Sequence, residues 1–324
     1  MVAGAWAFAS LGSFTPRAEA QSQTLPLSLV SIGTTVRNMD RSVDFYRDVL
    51  QFRKEYDVEF ADPGYDRMTG IFGTRVRLVG MSLGPTRIEL IQFVTPLGRT
   101  APKGYQSNDE WFHHFAIIVK DIEQGTRRLR KRGVRLVSPG PQRFPNGKAY
   151  LYFLDPDGHP LELAEFPGDT PVNSSKLFHR IDHTATVVRD LEKSIDFYQQ
   201  LGFRLEGHAE SFSKTQQRLN NVFGVHLVIA ALRRPGERIV LEFLQYLTPH
   251  NGRPYPVIVR LNALFHRHLT FSIPAVEKAF RYFRESKKPL KNPKVATYQA
   301  GTLGKRRGFF TADPTGHPIE IVEK

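Results

Sequence analysis

Asp155-Pro156-Asp157-Gly158-His159-Pro160-Leu161-Glu162 returns later in the chain as Asp313-Pro314-Thr315-Gly316-His317-Pro318-Ile319-Glu320. In both copies an apolar run precedes the Asp-Pro-x-Gly tetrapeptide and another follows it. Such a tetrapeptide between apolar runs marks a turn joining two strands, so each copy reads as a β-hairpin. No glycine-rich strand-to-helix turn surrounds either copy, which argues against a phosphate loop. Each hairpin carries a Glu in its second strand, and two further strands share this feature: Ile88-Glu89-Leu90-Ile91 and Leu241-Glu242-Phe243-Leu244. Working back from each Glu leads to an amphipathic helix and, before it, an apolar strand that opens at or near a His. The four openings are Val30-Ser31-Ile32-Gly33-Thr34-Thr35-Val36, His114-Phe115-Ala116-Ile117-Ile118-Val119, His183-Thr184-Ala185-Thr186-Val187-Val188 and His268-Leu269-Thr270-Phe271-Ser272-Ile273. The chain is a fourfold repeat of strand, helix and about three strands, and a repeat of this kind decides the fold before any other signal.

The repeats also pair at longer range. Ser31 and His183 lie 152 residues apart, Glu89 and Glu242 153, His114 and His268 154, and Glu162 and Glu320 158. Residues 27–167 are thus duplicated as residues 177–324, across a Pro-, Gly- and Ser-rich linker at 168–176. Asp40-Arg41-Ser42-Val43-Asp44-Phe45-Tyr46 matches Glu192-Lys193-Ser194-Ile195-Asp196-Phe197-Tyr198. Val43, Phe45, Tyr46, Val49 and Leu50 follow helical spacing, which makes the aromatics core residues. Asn38, Asp121 and Asp190 stand where a strand passes into a helix and read as N-caps. Phe72-Gly73 and Phe223-Gly224 correspond as well.

Composition narrows the chemistry. Of the 324 residues, 40% are hydrophobic and 24% charged, an ordinary globular balance, and 24 Phe supply bulk for a core. The absence of Cys excludes disulfides, thiolate metal sites and a cysteine nucleophile, so any metal must be held through N and O atoms. The net charge of +13 is spread along the chain. Its densest stretch, Arg127-Arg128-Leu129-Arg130-Lys131-Arg132, falls at an expected helix end, where cations suit the helix dipole. Without interleaved exposed aromatics or a reader motif, no nucleic acid partner is expected. An anionic small-molecule substrate is the partner such a charge would attract. Val2 to Phe14 are mainly small and apolar, and Ala18-Glu19-Ala20 fits a small-residue cleavage site, so residues 1–20 read as a secretory signal. No Lys or Arg precedes that run. The reading implies export to the periplasm or beyond, with Gln21 as the mature start; without it the chain would be cytoplasmic. The run is short of the about 20 apolar residues of a membrane span.

The His-containing first strands, the Ser-x-Asp-Phe-Tyr helices and the Asp-Pro-x-Gly-His-Pro-x-Glu hairpins resemble the vicinal oxygen chelate superfamily. That superfamily includes glyoxalase I, methylmalonyl-CoA epimerase, extradiol dioxygenases and bleomycin-resistance proteins, and the resemblance covers Leu27 to Lys324. It implies an α+β fold of four βαβββ modules forming two tandem glyoxalase-like domains. Each domain would be a partly open, barrel-like mixed sheet around a divalent metal. Consecutive elements are usually neighbours, which favours pairing the first module with the second and the third with the fourth. The crossed arrangement, first with fourth and second with third, stays open.

Strand alternation lets a His on a first strand and a Glu on a last strand face one cavity. Two modules then supply an N2O2 set suited to Zn, Ni, Co, Mn or Fe(II). The second half carries a complete set: His183, Glu242, His268 and Glu320. The first half carries Ser31, Glu89, His114 and Glu162, and a neutral hydroxyl is a poor ligand. One divalent ion is therefore expected in the C-terminal domain and an incomplete site in the N-terminal one. A single His opening a strand is more often structural, but a buried Glu is rare unless paired or ligating, and four matched positions favour a site. In the glyoxalase or epimerase branch, the resemblance implies that all four residues are ligands. Glu320 or Glu242 would be the base, in a lyase or isomerase acting through a metal-stabilised enediolate. In the extradiol dioxygenase branch, His183, His268 and Glu320 would hold Fe(II). Glu242 favours the first branch, because a fourth anionic ligand would take a position that catechol or O2 needs. A third reading is a non-catalytic, resistance-type binding protein.

Overall fold

The computed structural model describes residues 25–169, 175–256 and 260–324. The expected signal at 1–20 and residues 170–174 of the expected linker lie outside the described residues. The first module comprises β1 (Ser28–Thr35), α1 (Met39–Asp44, continued by a π-helical turn Phe45–Val49), β2 (Arg53–Phe60), α2 (Pro63–Thr69), β3 (Arg75–Leu83) and β4 (Thr86–Thr95). The second comprises β5 (His113–Val119), α3 (Ile122–Lys131), β6 (Gln142–Arg143), β7 (Ala149–Leu154) and β8 (Pro160–Glu165). The third comprises β9 (Phe178–Val187), α4 (Leu191–Gln200), β10 (Arg204–Ser211), α5 (Lys214–Asn220), β11 (His226–Arg233) and β12 (Val240–Thr248). The fourth comprises β13 (Arg267–Ile273), α6 (Val276–Glu285), β14 (Ala296–Gln299), β15 (Lys305–Ala312) and β16 (Pro318–Glu323).

Local chemistry sets these boundaries. The side chains of Asn38, Asp121 and Asp190 accept from the backbone N–H groups of Arg41, Gln124 and Lys193, which satisfies otherwise orphaned donors at each helix start. Helix α6 opens on Ala275 without such a bond. Both Asp-Pro-x-Gly turns join antiparallel strands, β7 to β8 and β15 to β16.

Two eight-stranded mixed sheets result, ordered β14-β15-β16-β13-β1-β4-β3-β2 and β10-β11-β12-β9-β5-β8-β7-β6. Within each module the first strand runs parallel to the last, as in β1 with β4 and β9 with β12. Modules join through antiparallel first strands, β1 with β13 and β5 with β9. The favoured pairing of first with second and third with fourth is therefore corrected to the crossed one. Adjacency did not discriminate, because the second and third modules are also consecutive, β8 ending at Glu165 and β9 beginning at Phe178. The longer segments 96–112 and 249–266 carry the chain between sheets. Each sequence repeat thus lends one module to each sheet.

Period-two alternation sorts the strand residues onto two faces. One core cluster spans both sheets and helices α1, α3, α4 and α6, and includes Ile88, Leu90, Phe115, Ile117, Leu161, Leu163, Leu241, Phe243, Leu269, Phe271, Ile319 and Ile321. In α6, Val276, Ala279, Phe280 and Phe283 recur on one face and bury it there; truncating Phe283 to Ala would cost roughly 3–5 kcal/mol. The intervening residues Glu89, His114, Glu162, His183, Glu242, His268 and Glu320 fall on the opposite faces of the sheets.

Candidate metal centre

In the sheet of the second and third modules, β5 and β9 lie side by side with His114 opposite Ala185. His114 projects from β5, His183 from β9, Glu162 from β8 and Glu242 from β12. Ligand atoms of His114, Glu162 and His183 all lie within 4.8 Å of one another. His183 Nε2 is 3.0 Å from Glu162 Oε2 and 3.6 Å from Glu242 Oε2, and His114 Nε2 is 3.6 Å from Glu162 Oε2. An ion at about 2.0–2.2 Å from each ligand sets neighbouring donors roughly 3.0–3.6 Å apart, so His114, Glu162 and His183 fit a divalent metal as they stand, with Glu242 beside His183. Glu162 Oε2 is buried with no hydrogen bond, as an atom waiting for a ligand would be. His183 Nδ1 lies 3.2 Å from Asp182 Oδ2. A carboxylate on the remote nitrogen is how ligating imidazoles are oriented, leaving Nε2 for the metal.

The electrostatics are those of a site that needs a cation. Burial pushes the Glu242 carboxyl up, and the nearby Glu162 and Asp182 add to it against the pull of His183. Burial alone would raise Glu162 too, but the adjacent imidazoles of His114 and His183 hold it below its usual range. His183 is held well above 6.5 despite burial, by Glu242, Asp182 and Glu162. Burial lowers His114. The rings of Phe112 and Tyr152 pack against His114, with centroids at 5.8 and 4.7 Å, and Leu219 and Val222 extend this apolar wall. Ser138 Oγ and Ser107 Oγ donate to the carbonyls of Leu219 and Asn220, tying α5 over the face.

The other sheet holds His268, Glu320, Glu89 and Ser31. His268 Nε2 is 3.4 Å from Glu320 Oε2, and Thr270 Oγ1 donates to the same carboxylate at 2.8 Å. Ser31 Oγ donates to Glu89 Oε2 at 3.2 Å, and Tyr56 OH donates to Glu89 Oε1. Arg306 Nη1 lies 3.4 Å from the same Oε1. His268 Nδ1 bonds His266 Nε2 at 2.8 Å. Although partly buried, Arg306 is held protonated by Glu89, Tyr298, Tyr56 and Glu320. Burial works to raise Glu320, but His268, Thr270 and Arg306 outweigh it and lower it. The positive charge here belongs to the protein, and with Ser31 in place of a nitrogen ligand the donor set suits a metal poorly.

The expected set His183, Glu242, His268 and Glu320 is thus divided. His183 and Glu242 meet His114 and Glu162 in one sheet, while His268 and Glu320 meet Ser31 and Glu89 in the other. Glu320, expected as a possible base beside His183, stands in the wrong sheet for that role. The residues are those the repeats indicate; the grouping failed because it followed the repeat rather than the sheet. Asp182 adjoins His183 in the sequence but was not among the expected site residues, and nothing in the sequence marked Arg306 or Tyr56.

Among the described residues, no helix is long and apolar enough to cross a membrane. A 2-epi-5-epi-valiolone epimerase from Actinomyces sp is 29% identical over 150 residues, covering 43% of this chain and 80% of that protein. Lactoylglutathione lyase from Schizosaccharomyces pombe is 26% identical over 202 residues, covering 54% of this chain and 59% of that protein. Glyoxalase I from Zea mays superposes with a TM-score of 0.59 at 18% identity over 92% of either chain, a likeness of fold. With both repeats matched, at residues 28–163 and 180–321, the chain belongs to the Glyoxalase/Bleomycin resistance protein/Dioxygenase superfamily.

Proposed function

We propose that this chain is a metal-dependent enzyme of the glyoxalase or epimerase type, a lyase or isomerase acting on a small oxygenated substrate. His114, Glu162, His183 and Glu242 would hold one divalent ion. The observation that carries this reading is the second carboxylate: Glu242 Oε2 lies 3.6 Å from His183 Nε2, beside the His114–Glu162 pair. A two-His-one-carboxylate iron face would need only His114, His183 and Glu162. When bound, the ion acts as a Lewis acid toward the substrate's oxygens.

The chain's own residues then divide the work. Glu242, the second carboxylate beside His183 Nε2, is the base. Glu162, held ionised by the two imidazoles, keeps its negative charge. Asp182 fixes the tautomer and direction of His183. Phe112, Tyr152 and α5 keep water from the buried groups. The names of the two relatives, an epimerase and a lyase, agree with this class.

Metal analysis of the purified chain followed by epimerase and lyase assays tests the reading. One divalent ion per chain, lost together with turnover in Glu242→Gln, is the expected result. Oxygen uptake with catechol after anaerobic Fe(II) loading would replace it by ring cleavage. A chain that binds ligands but no metal would make it a binding protein.

A further inference from the structure

Phe212 and Phe223 flank α5 and stand 72% and 93% exposed. They emerge at one end of the β10–β11 pair, which is registered there by Ser211 opposite Leu227. The Phe212 and His226 rings lie 5.8 Å apart. Phe223 is three residues from His226 along the chain, a reach of at most roughly 10 Å.

The turn that carries Phe223 is fixed at several points. Asn221 takes the left-handed conformation (φ 52°) that ends α5. Gly224 N donates to Gln217 Oε1 at 3.2 Å, and Thr248 Oγ1 donates to the Gly224 carbonyl at 2.7 Å. Val222 and Val225, on either side, are buried in the apolar cluster beneath α5, so the phenyl ring between them is turned out. The first repeat forms the same turn: Phe72 is 94% exposed, and Gly73 N donates to Asp66 Oδ2 at 2.8 Å.

The two tips differ in charge. Asp62 and Asp66 stand at the α2 tip, whereas residues 211–236 hold no Asp or Glu. Lys214 and Arg218 of α5 are exposed and make no ion pair among the described residues. Glu210, just before the tip, pairs with His226. Asp109, two residues from the Ser107 that bonds α5, pairs with Arg253. A single exposed ring at a surface needs no explanation, but two projecting rings beside two unpaired cations on one acid-free segment are the parts of an interfacial anchor. The rings enter the boundary between headgroups and acyl chains while the cations meet anionic headgroups. Ser211, Ser213 and Gly224 beside the rings are polar or bare, so the rings stand as separate knobs. That form suits a fluid interface better than the continuous apolar centre of a protein interface.

We propose that the α5 tip docks this protein on an anionic lipid surface through Phe212, Phe223, Lys214 and Arg218.

Sucrose-loaded vesicles of equal parts phosphatidylglycerol and phosphatidylcholine, sedimented with the full chain, test this. The chain from Gln21, which lacks the apolar run Val2 to Phe14, is measured beside it. Both should sediment with the mixed vesicles, far less with phosphatidylcholine alone, and less as salt rises. In the chain from Gln21, Phe212→Ser with Phe223→Ser should weaken binding by roughly 100-fold or more, each ring contributing roughly 10-fold. Lys214→Gln with Arg218→Gln should weaken it by roughly 30-fold, through the loss of two cations near the surface. All four positions are exposed, so these variants should fold as the parent does, which circular dichroism checks. If the chain from Gln21 stays in the supernatant with mixed vesicles, or its double Phe variant binds undiminished, the proposal is overturned. So it is if light scattering finds a dimer that the double Phe variant turns into monomer, which would make the tip an interface between copies.

Discussion

Replacing Arg306 by Met tests whether a protein cation balances the sheet of the first and fourth modules. Arg306 Nη1 stands 3.4 Å from Glu89 Oε1. Two unit charges at that distance attract by about 5 kcal/mol in an effective dielectric of about 20. Desolvation of the guanidinium offsets part of this, and solvent screens more, since the Arg306 side chain is 29% exposed against 8% for Glu89. The expected loss of stability is about 2–4 kcal/mol, below the upper end for breaking a fully buried pair. Glu89→Gln in the same chain removes the stranded carboxylate. The double variant should therefore regain about 2 kcal/mol relative to the sum of the single ones. Urea unfolding at pH 7, followed by far-ultraviolet circular dichroism, gives all four corners of the cycle. A coupling below about 0.5 kcal/mol would show that the two charges do not depend on each other. The reading of Arg306 as the site's own counter-ion would then fall.

Metal should follow the sheet pairing: His114→Ala should lose bound metal and His268→Ala retain it, and plasma mass spectrometry of the purified variants showing the reverse would return the centre to the other sheet. A Cβ on Gly64 would meet the Thr297 carbonyl at 1.8 Å, so Gly64→Ala should push α2 off β14 and cost about 2 kcal/mol or more in a melt. Gly140→Ala, whose nearest neighbour is Arg130 Nη2 at 3.7 Å, should be near neutral; equal effects would refute the packing argument. Burial holds His266 well below 6.5, so the unfolded chain takes a proton that the folded one refuses. Its share of stability is complete above pH 6.5 and falls on acidification by up to about 1.4 kcal/mol per pH unit. His266→Asn should flatten the slope between pH 6.5 and 5, and an unchanged slope would rule this out. Residues 1–20, if a secretory signal, should be missing from the exported protein; an N-terminus other than Gln21 by mass spectrometry would count against that reading.

The fourfold pattern was legible because strand alternation and helical spacing are local. Leu161, Glu162 and Leu163 sort onto two faces whatever their strand pairs with, and Asn38, Asp121 and Asp190 cap their helices through bonds only three residues long. The pairing of modules was not legible, because it depends on contacts such as Gly33 with His268 and His114 with Ala185, far apart in sequence. That one long-range choice decides which His meets which Glu. Residue types and positions were therefore readable from the chain, and their grouping into two sites was not.

The register explains why one site suits a metal and the other does not. Tyr56 stands opposite Gly80, which pairs with Glu89, and Gly207 stands opposite Ala231, which pairs with Glu242. Tyr56 and Gly207 thus occupy matching places beside the two site carboxylates. In the first and fourth modules the phenol fills that place, and Gly80 admits it: a Cβ there would lie 2.4 Å from the Tyr56 ring. At Gly207 there is no side chain to do the same. The cations follow a parallel logic. Arg306 lies four residues before Phe310, which pairs with Glu320, and Lys148 lies four before Tyr152, which pairs with Glu162. The Arg reaches Glu89, while the Lys148 ammonium rests 4.5 Å over the Phe166 ring. One sheet thus carries a phenol and a guanidinium around its carboxylates and has the Ser31 hydroxyl where the other has an imidazole. The other keeps both imidazoles beside its carboxylates, with Glu162 and Glu242 on His183 Nε2.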